Sequence, residues 1–425
     1  MALGGGVIGS NMKFLRAVLT TPVSGIMLLA ALTTSAPAEW PQWRGPDRNG
    51  IVKGPAWPAD FSSLTPAWEV AMAPSYSGPV MSDKLVFTTE SVDKRLERVH
   101  AVDRATGRTV WTAEWEGYQG VPFFAARNGD WMRSTPAWDG KDLFVAGMRD
   151  VLVSLDGATG KENWRVDFVS EFKKAAPGFG FVCSPLVDGK YVYVQAGAAF
   201  RKLDKATGKT VWTSLEEKGG AMDSAFSSPV LTKINGQPQL LVQTRAALCS
   251  VDPGSGTVLW NQPIKAFRGM NIQTPVIQGG RLFTTAYQGQ SQAWDMSGSA
   301  GSPGLTLAWE HKAEGYMSTP VVIGGKVFLH LRNQKFTCLD LATGKQDWVT
   351  DRKFGEYWSM IAQGNRLLAL DENGSLYLIQ ADPEEFKLLA EKKLSEEETW
   401  AHLAIDGDLI VIRSLKKLQA FRWKA

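Results

Sequence analysis

The sequence contains few of the residues on which metal, redox and nucleophilic chemistry usually depend. Among its 425 residues are only three cysteines and four histidines, namely Cys183, Cys249, Cys338, His100, His311, His330 and His402. The cysteines are odd in number and far apart, which predicts buried free thiols rather than disulfides or a metal cluster. The histidines form no HExxH or HxH pattern, and no Gly-x-Ser-x-Gly motif, P-loop or dinucleotide fingerprint occurs. We therefore predict neither a metal site nor a set of catalytic residues.

A surplus of charge and long apolar runs are also missing beyond the first 38 residues. The formal net charge is +3, and Lys13 and Arg16 supply two of those charges, so we expect no nucleic-acid-binding surface. Residues 1–38 combine this basic start with the apolar stretch 17–32 and the small residues Ala36-Pro37-Ala38. The pattern predicts a signal peptide cleaved after Ala38, and hence a periplasmic or secreted protein without a stable membrane span. The alternative is an uncleaved anchor, for which the apolar run is short.

One phrase recurs along the rest of the chain. In residues 203–212 it reads Leu-Asp-Lys-Ala-Thr-Gly-Lys-Thr-Val-Trp, with Trp eight positions after the Asp. Four more copies keep this interval, with their Asp at Asp103, Asp156, Asp252 and Asp340. Alternating apolar residues precede the Asp, and Asp with Gly suits a tight turn, so each copy predicts two strands joined by a turn. A Trp wedged between neighbouring sheets is expected at Trp68, Trp111, Trp164, Trp212, Trp260, Trp309 and Trp348.

A second phrase, a small polar residue followed by Pro and an aliphatic residue or Ala, opens each repeat. Its Pro residues are Pro79, Pro136, Pro185, Pro229, Pro275 and Pro320, and degenerate copies begin at Ser359 and Ala401. The eight openings lie 40 to 57 residues apart, which leaves room for four short strands in each repeat. The eighth repeat lacks one strand, and the isolated Trp68 strand supplies it.

We therefore predict an all-β fold over residues 61–425: an eight-bladed β-propeller of four-stranded antiparallel blades. An N-terminal strand completes the C-terminal blade and so closes the ring. A ring of seven blades would leave one of these segments unpaired. Residues 39–60, rich in Pro, Gly and Trp, are predicted to form an extended lead-in packed across one end of the fold, in preference to a recognition site.

Two repeats depart from the pattern. The fifth has a Ser/Gly-rich insertion at 297–304, which predicts a lengthened hairpin loop. The seventh has Asp382 at the expected Asp position but Ala390 where Trp belongs. Phe386 is the residue expected to fill the space that the missing indole leaves.

The Asp-x-Ala-Thr-Gly-Lys-x-x-x-Trp phrase and its Pro opening resemble the repeat of pyrroloquinoline-quinone (PQQ)-type propellers. One family with this repeat, the quinone-dependent dehydrogenases, implies a PQQ cofactor clamped by a disulfide of adjacent cysteines, with calcium beside a catalytic Asp. This chain has no adjacent cysteines, and only Asp130 or Asp223 could be offered as that Asp. The other family is the BamB-type lipoprotein of the outer-membrane assembly machinery, which implies a docking platform in the cell envelope. Its lipidated Cys is missing here, since no Cys lies near the predicted cleavage site.

The segments that join the Trp strand of one blade to the Pro strand of the next should gather at one mouth of the central channel. They carry aromatic and arginine side chains, which dominate binding hot spots. The residues predicted to bind a ligand or partner there are Phe123, Arg127, Trp131, Arg133, Phe181, Phe226, Arg268, Tyr316, Tyr357, Trp358 and Trp400. The alternative is that these rings only plug the channel and pack between blades.

The sequence favours a secreted, non-catalytic propeller that acts as a monomeric platform for an envelope protein or a small ligand. A PQQ-dependent oxidoreductase with calcium is the alternative that the resemblance keeps open. A hydrolase or lyase built from the loops at the mouth is neither supported nor excluded.

Overall fold

The predicted repeats fold as a series of four-stranded antiparallel sheets. In a computed structural model, which describes residues 39–220, 223–299 and 302–424, eight such sheets follow one another along the chain. The first strands of neighbouring sheets approach one another and line a common centre. The prediction of an eight-bladed propeller is therefore confirmed. The predicted signal peptide lies outside the described residues.

The strands follow the order of the repeats. Blade 1 contains β2 (Val80–Met81), β3 (Leu85–Val92), β4 (Leu96–Asp103) and β5 (Thr109–Glu116). Blade 2 contains β6 (Ala137–Trp138), β7 (Asp142–Gly147), β8 (Val151–Asp156) and β9 (Glu162–Asp167). Blade 3 contains β10 (Leu186–Asp188), β11 (Tyr191–Ala196), β12 (Ala199–Asp204) and β13 (Thr210–Ser214). Blade 4 contains β14 (Val230–Ile234), β15 (Gln237–Gln243), β16 (Ala247–Val251) and β17 (Val258–Pro263).

The second half of the ring continues the pattern. Blade 5 contains β18 (Val276–Gln278), β19 (Arg281–Thr285), β20 (Ser291–Ser299) and β21 (Ser302–His311). Blade 6 contains β22 (Val321–Ile323), β23 (Lys326–His330), β24 (Phe336–Asp340) and β25 (Gln346–Val349). Blade 7 contains β26 (Trp358–Gln363), β27 (Arg366–Asp371), β28 (Ser375–Gln380) and β29 (Lys387–Lys393). Blade 8 contains β30 (Ala404–Asp406), β31 (Leu409–Ser414), β32 (Lys417–Trp423) and β1 (Leu64–Ala71).

Helices are short and lie between blades. The α-helix α1 (Phe168–Phe172) begins at Asp167, whose carboxylate accepts a hydrogen bond from Ser170 N. Two 3₁₀ helices cover Phe123–Asn128 and Phe267–Gly269. Among the described residues, no helix has both the length and the apolar character needed to cross a membrane.

The ring is closed by its first strand. Strand β1 pairs antiparallel with β32, with Leu64 opposite Trp423 and Trp68 opposite Ala420. This pairing joins the N-terminal strand to the last three strands of the chain in one sheet. The predicted closure is confirmed, and the edge of β32 that an open array would expose is covered.

The Asp-Thr-Gly turn supports the repeat Trp of the preceding blade. In the first copy, Asp103 Oδ1 accepts hydrogen bonds from Thr106 N (2.8 Å) and Thr106 Oγ1 (2.7 Å). Gly107 has φ +72°, and a Cβ there would lie 2.8 Å from the ring of Trp68, so only glycine suits this position. The indole of Trp111 packs in the same way over Gly160 of the next blade, and its Nε1 donates to Gly157 O (3.0 Å).

We expect Trp111→Ala to lower the free energy of unfolding by about 3–5 kcal/mol, because Trp111 is buried between two blades and its removal leaves a cavity. Trp260→Ala is the matched control. Trp260 is only half-buried, and no described residue accepts a hydrogen bond from its indole, so a smaller loss is expected. Chemical denaturation compares the two, and equal losses would show that the wedge position is not what stabilises the ring.

The Ser or Thr before five of the six Pro residues has a structural role that the sequence did not reveal. Its hydroxyl accepts a hydrogen bond from the backbone N–H at the same position in the preceding blade. Such bonds join Gly78 N to Thr135 (3.2 Å), Thr135 N to Ser184 (3.1 Å), Ser184 N to Ser228 (2.9 Å), Ser228 N to Thr274 (3.1 Å) and Thr274 N to Thr319 (3.3 Å). The first strands are too short to satisfy these buried N–H groups, so the hydroxyls stabilise the ring at its centre.

The lead-in lies inside the ring, which corrects the expectation that it packs across one end. Trp40 forms a bridge with Met81 of blade 1, and Ile51 forms one with Ala362 of blade 7. Between them, the lead-in forms hydrogen bonds with other blades: Trp138 N donates to Pro41 O (2.7 Å), and Arg44 Nη2 donates to Pro320 O (2.6 Å). It therefore fills part of the central channel.

The departures in blades 5 and 7 are partly as expected. The hairpin of β20 and β21 is lengthened, with pairing out to Ser299 and Ser302. In blade 7, Ala390 pairs with Leu378 and so takes the place that the repeat Trp has in other blades. The Asp position at the end of β28 is occupied by Gln380 and not by Asp382. Phe386 does not fill the space of the missing indole, because it packs 5.9 Å from Trp348 on the side of blade 6.

The cysteine prediction is also confirmed. Cys183, Cys249 and Cys338 are free and buried. Cys249 lies in β16 and Cys338 in β24, whereas Cys183 lies in the segment that leads into blade 3. Burial raises the pKa of the Cys183 thiol to about 11, so it stays protonated and unreactive at neutral pH.

Candidate functional site

A cavity of about 190 Å³ lies in the central channel at the end where the blade-connecting segments gather. Each blade contributes one side chain, which lies two positions before the Ser or Thr that bonds to the preceding blade, or before the residue at the same position where that Ser or Thr is absent. We call this Ser, Thr or equivalent residue the ring residue. The eight contributed side chains are those of Tyr76, Arg133, Val182, Phe226, Ile272, Met317, Tyr357 and Trp400. The cavity is thus apolar and aromatic, with one cationic side chain, and we call it the mouth cavity.

The lead-in forms the inner end of the mouth cavity through Trp43. The guanidinium groups of Arg44 and Arg48 lie 5.5 and 5.6 Å from the Trp43 ring, as cation–π neighbours. Both arginines are buried, and they bond mainly to backbone carbonyls, such as Pro320 O for Arg44 and Pro185 O (2.7 Å) for Arg48. Burial lowers the pKa of Arg44 to about 9 and that of Arg48 to about 10, so both remain charged at neutral pH.

His402 lines the cavity beside this cationic pair. Its ring packs edge-on to Trp43 at 6.0 Å, and its Nδ1 lies 2.9 Å from Leu403 O. Burial, with a further effect of the Arg44 charge, lowers the pKa of His402 to about 3. The imidazole is therefore neutral across the physiological range and adds no cation to the cavity.

The rim on the side of blades 8 and 1 is a cluster of aromatic rings. Tyr76 contacts Trp131 at 5.2 Å and Trp400 at 5.8 Å between ring centroids, and Trp400 stacks on Tyr357 at 5.8 Å. The Arg133 guanidinium lies 5.8 Å from the Tyr76 ring, and burial lowers its pKa to about 10. These contacts fix the rings and hold a positive charge against them.

Residues 117–133 form a long loop over the channel, which we call the mouth loop. Tyr118 OH donates to Asp130 Oδ2 (2.8 Å), which ties the two ends of the loop together. At its tip, Arg127 lies 3.7 Å from Glu356, in the segment before blade 7. Phe123 is 91% exposed and Phe124 53% exposed, so the loop presents apolar rings to solvent. Such exposure is uncommon for Phe.

The predicted site residues fall into three groups. Six line the mouth cavity: Arg133, Phe226, Tyr316, Tyr357, Trp358 and Trp400. Four lie around its rim: Phe123, Arg127, Trp131 and Arg268. Phe181 points elsewhere, because it is 2% exposed and packs 6.3 Å from Phe168 in the core between blades.

Several lining residues were not among those predicted, notably Trp43, Tyr76 and the methionines Met270, Met317 and Met360. A signal for Tyr76 and Met317 was present, since both stand at the repeated position two residues before the ring residue. Trp43 had no such signal, because its place depends on where the lead-in enters the channel.

Comparisons with known proteins separate the two families that the repeat resembles. The family model described as outer membrane protein assembly factor BamB matches residues 95–350. The chain belongs to this family. A curated relative, BamB of Yersinia pestis, is 23% identical over 270 residues, which is 58% of this chain. The chain spans 63% of that relative, just under two thirds of its length.

Solved structures confirm the fold that this BamB-family chain adopts. The crystal structure of BamB from Moraxella catarrhalis matches with a TM-score of 0.60 at 14% identity, covering 84% of this chain and 99% of that one. A quinohemoprotein alcohol dehydrogenase from Comamonas testosteroni matches with a TM-score of 0.62 at 14% identity, covering 91% and 81%. At such identities the likeness shows the fold alone.

The side chains that line this BamB-family cavity do not fit a calcium ion. A calcium site needs several carboxylate or carbonyl oxygens, and no Asp, Glu, Asn or Gln lines the mouth cavity. Asp130 accepts the Tyr118 hydroxyl, and Asp223 pairs with Arg245 at 2.5 Å, so both are engaged at the rim. Among the described residues, no group of three or more His, Cys, Asp or Glu is arranged to hold a metal ion.

Proposed function

We propose that this chain is a secreted or periplasmic, non-catalytic propeller that binds a segment of another envelope protein at the mouth of its channel. The observation that carries this proposal is the convergence of one side chain from each of the eight blades on a single aromatic cavity. Aromatic rings held by one another lose little entropy on binding and bury a large area, which is what a protein-binding site requires.

The mouth loop supports the same function. Packing between blades does not require Phe123 or Phe124 to face solvent, yet both do. The alternative in which the rings only plug the channel accounts for Trp358, which is 1% exposed, but not for these two.

The membership of the BamB family supports a protein partner in the envelope. The relatives are named outer membrane protein assembly factors, and the signal peptide predicted for residues 1–38 would deliver this chain to the same compartment. Non-catalytic action is in keeping with the lining of the mouth cavity, where the single histidine is neutral and no carboxylate is present to serve as acid or base.

Photocrosslinking in living cells tests the proposal. A photoreactive phenylalanine analogue at Phe123 should give a covalent adduct with one or a few envelope proteins after irradiation. The matched control places the analogue at Val211, which is 50% exposed on the outer strand of blade 3. Adducts absent at Phe123, or equally abundant at Val211, would contradict binding at the mouth. Cell fractionation and N-terminal sequencing of the mature chain would test the location and the cleavage after Ala38.

A further inference from the structure

A second depression adjoins the mouth cavity, and we call it the aromatic groove. It is lined by Phe124, Phe179, Phe226, Phe267, Tyr287 and Tyr316. These residues come from the mouth loop, from the segments before blades 3, 4 and 5, from blade 5 itself and from the segment that follows it. The groove thus spans the surface from blade 2 to blade 5, beside the channel axis.

The groove is open to solvent although its rings pack against one another. Phe267 is 41% exposed, and Phe124 is 53% exposed. Tyr287 packs on Tyr316 at 4.7 Å and on Phe267 at 5.8 Å, while Phe124 contacts Phe179 at 6.3 Å. An apolar surface that is already ordered can bind an extended chain at a low entropic cost.

Arginine side chains border the groove on the side of blades 4 to 6. The Arg332 guanidinium lies 4.8 Å from the Tyr287 ring, and that of Arg268 lies 5.2 Å from Phe267. Arg332 forms a salt bridge with Glu314 (3.3 Å), and Arg245 forms one with Asp223.

Three cations in the same blade-connecting segments lack an acidic partner. Arg268, Lys265 and Lys312 are exposed, and none forms a salt bridge with a described residue. Arg268 also adopts a left-handed conformation, with φ +51° and ψ +27°, which is unfavourable for a residue other than Gly, Asn or Asp.

We infer that the aromatic groove binds an acidic segment of a partner protein, in which Asp or Glu residues flank aromatic or aliphatic anchors. The inference rests on the proposed function, because it specifies the chemistry of the partner bound near the mouth. The rings receive the apolar side chains, and the surplus of unpaired cations favours carboxylates on either side of them.

Fluorescence anisotropy with synthetic peptides tests the charge preference on the purified full-length mature protein. The probe is a labelled peptide that alternates Phe with Asp; one comparison peptide has Lys in place of Asp, and another has Ser in place of Phe. We expect the acidic aromatic peptide to bind at least about tenfold more tightly than either, with affinity falling as salt is raised.

The double variant Lys265→Glu/Arg268→Glu should weaken binding of the acidic peptide by about tenfold, because it reverses the charge of Arg268, which lines the groove, and that of Lys265 in the same blade-connecting segment. Lys209→Glu is the matched control, since Lys209 is an exposed lysine without a salt bridge on the outer turn of blade 3. It should leave the affinity unchanged. Equal affinity for acidic and basic peptides, or equal effects of the two variants, would overturn the inference.

The same variants separate this inference from the proposed function. If crosslinking at Phe123 captures a partner and the Lys265→Glu/Arg268→Glu protein captures it equally well, the mouth binds protein but the acidic preference is wrong. If no adduct forms in either protein, the proposed function itself fails.

Discussion

A chain that begins at residue 72 should fail to form a stable monomeric propeller. It would lack β1 and the lead-in, and the edge of β32 would be exposed along the seven residues that now pair with β1. An unpaired edge of this length invites pairing with other chains, so we expect oligomers or aggregates in size-exclusion chromatography.

The size of this effect follows from what the missing segment buries. Trp40, Trp57, Phe61 and Leu64 are all at most 6% exposed and pack against blades 1, 7 and 8. Burial of one such side chain contributes about 1.5–3 kcal/mol, so four contribute on the order of 10 kcal/mol. That equals the whole free energy of unfolding of many domains, about 5–15 kcal/mol.

Complementation provides the control for this truncation. A separate peptide of residues 39–71 added to the truncated chain should restore the monomer and raise its melting temperature, because it can take the place of β1 and the lead-in. A truncated chain that is monomeric and as stable as the intact one would show that the closure contributes little.

The fold could be predicted because its main determinants are local and repeated. The Asp-Thr-Gly turn and the Trp eight residues after the Asp make contacts that depend only on the adjacent blade, so each copy carries the same information. The closure followed from counting strands. The lead-in has no periodicity. Its place inside the ring depends on bonds between residues far apart in sequence, such as that from Arg48 to Ser184 O (3.0 Å).

The candidate site was predictable to the extent that it follows the repeat. Phe226, Tyr357 and Trp400 stand at the repeated position before the ring residue and line the mouth cavity. Phe179 and Phe181 show where this reasoning stops. Gly180 between them has φ +77°, and the turn directs Phe179 to the mouth and Phe181 to the core. No feature of the sequence determines which of the two faces the cavity.

Asp150→Asn should make the protein more stable at pH 8 while leaving its stability near pH 4 almost unchanged. Asp150 is 3% exposed, and its Oδ2 accepts a hydrogen bond from Gly197 N at 2.7 Å. Burial raises the pKa of this carboxyl to about 7, although the Gly197 bond and the Arg201 charge oppose the shift. Asparagine keeps an acceptor for Gly197 N and tolerates the left-handed backbone of this position, φ +61°.

The direction of the pH dependence follows from the raised pKa. The folded protein favours the protonated acid, so the stability contributed by Asp150 is complete below its unfolded pKa of about 3.9 and is lost as pH rises through about 7. Three pKa units correspond to at most about 4 kcal/mol. Denaturant titrations of wild type and Asp150→Asn at pH 4, 6 and 8 measure the difference. A gap between the two proteins that does not widen with pH would mean that Asp150 is already ionised in the folded protein at pH 4, with its charge stabilised by the Gly197 N–H and Arg201.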